Sequence, residues 1–183
     1  MAWDETEAKA RARWAYEFGR LRMAARAGWL LAPMIALAYL RCGQPPLSLT
    51  TGALLTAVVL GLLWRGSAWG AAVVPGLLAG AAPLLLPLLI GYSGHLCIGG
   101  VCLALCMYSC LVGGLIAGVI LGLRAARLEV GRWVFLLAGC LVATLEGALG
   151  CAPAGIGGLL GMMGGVIMAS APMGLCLRLS TRS

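Results

Sequence analysis

The chain has 183 residues, of which 62% are hydrophobic and only 10% charged, with a mean hydropathy of +1.00. Soluble domains carry about 25% charged residues, so this composition excludes a protein whose only solvent is water. The net charge of +7 does not indicate nucleic acid either, because the 13 Lys and Arg residues are divided among gaps between apolar runs and make no continuous stripe.

In chain order, residues 4 to 26 come first and have a helical pattern. Glu5 and Lys9, and Glu7 and Arg11, are i,i+4 pairs of the favoured polarity. Trp14, Phe18 and Leu21 follow the i, i+4, i+7 spacing of an apolar stripe, with Arg11, Arg13, Arg20 and Arg22 around the remaining surface. The stripe calls for burial, either in the lipid interface or in a groove of a soluble partner. Trp14, Phe18 and Leu21, with Arg20 beside them, are therefore the candidate partner-binding residues. The segment lacks the basic flank and immediate apolar run of a secretory signal.

Six apolar runs follow, at about 28–40, 47–63, 69–90, 96–123, 133–150 and 153–177. A span needs about 20 residues, so the first two must recruit flanking residues or pack against longer neighbours. Basic residues accumulate in cytoplasmic loops. With the amino terminus inside, every Lys and Arg falls on the cytoplasmic side except Arg41. The expected fold is thus an all-α integral membrane bundle of six transmembrane helices preceded by a short amphipathic helix. The division is 1–27 for the cytoplasmic helix, 28–178 for the membrane domain and 179–183 for a tail. A multi-pass protein of a bacterial inner membrane, with both termini cytoplasmic and no folded outer domain, is expected.

Gly114, Gly118 and Gly122 on the fourth run, and Gly157, Gly161 and Gly165 on the sixth, recur every four residues and so line single helix faces. Small faces let helices approach closely in lipid. Packing within one chain is the favoured reading, and a homodimer seam the alternative. Pro33, Pro75, Pro83, Pro87 and Pro172 lie inside spans and predict kinks.

The eight cysteines sort by this topology. Cys42, Cys97 and Cys151 fall at the outer ends of spans, with His95 two residues from Cys97. Cys102, Cys106 and Cys110 continue inward along one face of the fourth span, where a free thiol behaves as a small apolar packing residue. The outer compartment of a bacterium supports disulfides, and thiolate with imidazole suits zinc, copper or similar soft metals. A disulfide from Cys151 to Cys97 or Cys102, or a metal clip, with a redox or metal role, is one expectation; packed thiols or a permanent structural staple are the plain alternatives. Glu146 is the one acid inside a span. Intramembrane ionisable groups are functional candidates, here for proton coupling, but with no second intramembrane acid or base beside it a neutral, hydrogen-bonded packing residue is the favoured reading. With the only His in an outer turn, and no HExxH, GxSxG or phosphate loop, an enzyme is not expected.

The stretch from Leu141 to Leu177, with its short Gly150-Cys151-Ala152-Pro153 turn between two spans, resembles the six-span anti-sigma factors of the negative-regulator-of-sigma-F family. That family carries one cysteine at the start of its fourth span and another about fifty residues later, in a His-Cys-Pro-like turn before the last span. Cys97 or Cys102 would occupy the first position and Cys151 the second. Gly150 stands where the family has His, and Ala152 separates Cys151 from Pro153. The resemblance covers residues 90 to 178 and implies a membrane-tethered inhibitor that sequesters an extracytoplasmic-function sigma factor until a redox or metal signal reaches the outer cysteines. Two functions of other classes stand beside it: a small transporter for a soft metal or thiol-reactive solute, and an accessory subunit of a larger membrane complex.

Overall fold

In a computed structural model, residues 5–41, 45–92, 102–151 and 155–180 are described, and all seven elements in them are α-helices. The amphipathic segment and the first apolar run are one helix, α1, Glu5–Arg41. At 1.5 Å rise per residue its 37 residues extend about 55 Å. Continuity has a local cause: the junction Met23-Ala24-Ala25-Arg26-Ala27 consists of strong helix formers, and Gly28 is the only weak residue near it. One of the two i,i+4 pairs is directly visible, Arg11 Nη2 lying 3.1 Å from Glu7 Oε2. Both side chains are exposed, so the pair contributes only about 0.3–0.5 kcal/mol.

The second run is α2, Pro45–Arg65. The third is broken in two, α3 at Ser67–Ala71 and α4 at Val73–Tyr92. Pro75 supplies the reason: it has no N–H to offer the carbonyl of Ala71, and its ring crowds that carbonyl. The chain therefore turns at Ala72, and Gly76 N–H resumes the ladder on the Ala72 carbonyl at 2.8 Å. Gly66, between α2 and α3, has φ +69°, a left-handed conformation that glycine adopts without a Cβ penalty.

Then come α5 at Cys102–Ala126, α6 at Arg132–Cys151 and α7 at Gly155–Ser180. The turn from α5 to α6 closes through Arg127 N–H on the Arg124 carbonyl and Leu128 N–H on the Ala125 carbonyl. Gly131 has φ +77° there, and a Cβ on it would lie 2.9 Å from the Ala68 methyl.

Two seams carry the packing. α5 runs parallel to α7: the Met162 carbonyl occupies the space a Cβ at Gly114 would fill, a Cβ at Gly118 would meet the Val166 carbonyl oxygen at 2.7 Å, and one at Gly165 the Leu111 carbonyl oxygen at 2.6 Å. Gly114, Gly118 and Gly165 of the two glycine faces thus serve contacts within the chain. α4 runs parallel to α6 in the same manner, with Gly76 against Gly139 and Val142, and Gly80 against Ala143 and Glu146. Leu77, Leu84, Leu121 and Leu149 on the seam helices are fully buried, as is Leu55 on α2.

The outside of the bundle is apolar as well. Leu54, Leu78, Leu115, Leu137, Leu141, Leu160 and Ile167 are exposed, an arrangement lipid accommodates and water penalises. Among the described residues, five helical stretches are long and apolar enough to cross a membrane, at Glu7–Leu40, Pro46–Arg65, Ser67–Leu86, Tyr108–Ala126 and Arg132–Gly150. The apolar stretch of α7 within the residues of described burial is shorter, Leu159–Ser170, and packs chiefly on α5.

Gly118→Ala is expected to lower stability by about 1–3 kcal/mol, since a backbone carbonyl must move to admit the methyl. Gly164→Ala, where a Cβ meets nothing within 4 Å, is expected to be neutral or to stabilise by up to ~1 kcal/mol through helix propensity. Thermal unfolding of both variants in one detergent checks the contrast.

Candidate functional site

The amino-terminal half of α1 presents two distinct faces. On one, the Trp14 and Phe18 rings stack with centroids 5.8 Å apart and planes 7° from parallel. Both rings and Leu21 are exposed, and with Glu17 they line a shallow groove of about 340 Å³. The helical spacing read from the sequence therefore produces a continuous apolar strip with no partner from this chain among the described residues.

Arg20 belongs to the other face. Its Nη2 donates to the Trp64 carbonyl at the end of α2, and its guanidinium lies over two rings, 4.7 Å from the Trp64 centroid and 5.4 Å from that of Tyr16. Such stacking suits the planar, weakly hydrated guanidinium. Arg20 thus fastens α1 to α2, and the strip of Trp14, Phe18 and Leu21 is turned away from that junction. A second notch, of about 380 Å³, lies on the Arg20 side, lined by Tyr16, Gly19, Arg20, Met23, Leu63, Gly66, Ser67, Gly70 and Ala71. No sequence pattern signals this clamp, because Tyr16 and Trp64 are 48 positions apart and nothing in a periodicity joins them.

Of the outer thiol set, Cys42, His95 and Cys97 lie outside the described residues. Cys102 begins α5 and Cys151 ends α6; their backbones are described and their side chains are not. Among the described residues, no cluster of three His, Cys, Asp or Glu side chains could hold a metal ion. The informative cysteine is Cys110, expected to be a packing residue. It is fully buried against Met162 and is disulfide-bonded. Cys140, half-buried on α6, is a free thiol.

Glu146 is fully buried, and neither carboxyl oxygen has a hydrogen-bond partner. It occupies a notch left by Gly80, where a Cβ would come within 2.5 Å of Oε2. The isolated acid of the sequence is therefore a group packed between α4 and α6, with neither a counter-charge nor a donor beside it among the described residues. Compared with protein-family models, curated proteins and solved structures, the chain matches none.

Two outcomes test this geometry. Replacing Glu146 by Met, of similar length and without the unsatisfied oxygens, is expected to stabilise the protein by about 1–3 kcal/mol; a lower thermal midpoint in detergent would contradict it. Peptide mapping without reduction is expected to find Cys110 in a disulfide and Cys140 alkylated, and a freely alkylated Cys110 would count against that bond.

Proposed function

We propose that this chain is a membrane-tethered anti-sigma factor. The amino-terminal half of α1 holds an extracytoplasmic-function sigma factor at the inner face of a bacterial inner membrane, and a thiol signal at the outer end of the bundle releases it. The observation that carries this reading is the exposed Trp14–Phe18–Leu21 strip on a helix that continues without a loop into the apolar bundle. An apolar strip of this kind, flanked by arginines, suits a groove on an acidic soluble partner. The lipid surface is its competitor for the same strip.

In this scheme both termini are cytoplasmic, α7 makes the sixth span, and the residues after α4, at the start of α5 and after α6 face outward. A partner for Cys110 is proposed from helix register. Gly139 on α6 packs against Leu121 on α5, and these helices are antiparallel. Eleven residues outward on each strand of this hairpin lie positions 110 and 150, at one height, so Cys151 is the proposed partner of Cys110. Such a bond forms when two thiols lose two protons and two electrons to an oxidant in the outer compartment. It would tie α5 to α6 beside Met162 of α7. Soft-metal binding by the outer set of Cys42, His95, Cys97, Cys102 and Cys151 is the other form the signal can take.

Co-purification from native membranes in mild detergent is expected to recover a sigma factor. Trp14→Ala with Phe18→Ala is expected to reduce that recovery at least tenfold, the effect of losing two buried aromatic anchors, without changing the thermal midpoint. Recovery of no sigma factor, together with unchanged transcription on deleting residues 1 to 26, would refute the proposal. The unpartnered Glu146 favours a second reading, a small soft-metal or solute transporter. Vesicle uptake that is insensitive to Glu146→Gln would remove that reading.

A further inference from the structure

We propose that the notch between α1 and the α2–α3 junction binds the headgroup of a monoanionic phospholipid, of the phosphatidylglycerol type, from the leaflet at that end of the bundle. Its lining divides by chemistry. Met23, Leu63 and Ala71 contribute apolar surface, while Tyr16, Arg20 and Ser67 contribute two hydroxyls and a cation. The volume of about 380 Å³ is at the lower end of the ~300–1,000 Å³ of small-molecule sites. It fits a headgroup and the first part of the lipid, with the acyl chains running along the apolar helices.

Charge gives the sign of the occupant. Arg20 is half-buried, and no carboxylate lies within ion-pair distance of it among the described residues; its one hydrogen bond goes to the neutral Trp64 carbonyl. A guanidinium has five N–H donors, so most of its capacity is unspent while the two rings of Tyr16 and Trp64 hold it in one orientation. A phosphodiester oxygen is the acceptor such a fork prefers. No carboxylate lines the notch, so an ammonium-bearing headgroup would find no counter-charge there, whereas the hydroxyls of a glycerol headgroup would find Tyr16 and Ser67. A Cβ at Gly66 would lie 3.9 Å from the Tyr16 hydroxyl, which places that hydroxyl at the mouth of the junction.

Depth gives the source. The notch sits beside the end of α2, where Arg20, which lines it, stacks on the rings of Tyr16 and Trp64, and the neighbouring Arg65 lies 5.4 Å over the Trp69 ring. Aromatic and basic side chains of this kind sit at headgroup level in membrane proteins. The bound molecule is therefore a lipid and not a soluble phosphate. Naming its leaflet as the inner one rests on the orientation proposed above; binding itself does not.

The full chain in detergent, equilibrated with equal amounts of phosphatidylglycerol, phosphatidylethanolamine and phosphatidylcholine, tests this by native mass spectrometry. One phosphatidylglycerol is expected to be retained in preference to the other two. Gly19→Leu places a side chain in the notch at a position where a Cβ meets nothing within 4 Å, so the fold is kept. It is expected to abolish the preference. Arg20→Ala is expected to weaken retention about tenfold, the loss of one charge-assisted hydrogen bond. Equal retention of the three lipids, undiminished phosphatidylglycerol on Gly19→Leu, or displacement by inorganic phosphate at matching concentration would each overturn the proposal. None of these results bears on whether a sigma factor binds the opposite face of α1.

Discussion

The bundle depends on main chains touching main chains. Lipid offers apolar side chains as good an environment as the protein does, so helices are held together by close, complementary contact and by the removal of polar groups from hydrocarbon. Gly114, Gly118 and Gly165 let the Met162, Val166 and Leu111 carbonyls approach where other residues would place a side chain. Gly76 and Gly80 do the same for α4 on α6. These contacts fix register to the residue, because sliding α7 by one position along α5 would bring a side chain against a carbonyl. They also create the notch in which Glu146 sits, so the most polar side chain of the interior is a consequence of the same small residues that define the packing.

Against that rigid centre, α1 is lightly held. It touches α2 more than any other helix, and its amino-terminal half is fastened by Arg20 alone among the interactions described between distant residues there. The two faces of this half are chemically unlike. One is aromatic, apolar and unpartnered; the other is organised around a guanidinium between two rings. A protein partner and a lipid headgroup can therefore act on the same helix from opposite sides without competing for the same atoms.

The helical class, the apolar exterior and the role of the glycine faces were legible because they follow from composition and from a four-residue period. Trp14, Phe18 and Leu21 were legible for the same reason, since their spacing alone puts them on one face. The boundary between amphipathic segment and first span was not, because charge density changes there while helix propensity does not, and α1 runs through. The break at Ala72 was readable only as a proline kink at Pro75, without the left-handed Gly66 that lets α3 turn away from α2. Arg20 and Cys110 were hardest: each is defined by a partner far along the chain or across a helix, and local pattern assigned one to the aromatic strip and the other to packing. Cys42, His95 and Cys97 lie outside the described residues.

The unbroken course of α1 has a mechanical corollary. Pro33 interrupts the hydrogen-bond ladder at the Trp29 carbonyl, a point inside the helix where bending is intrinsically easy. Trp14 lies 19 residues before it, about 28 Å away along the axis. Upstream of that pivot the helix is a stiff arm, so a rotation of about ten degrees there sweeps the aromatic tip through about 5 Å. An adjustment too small to disturb the packed seams becomes, at the far end, a shift the size of a helical turn.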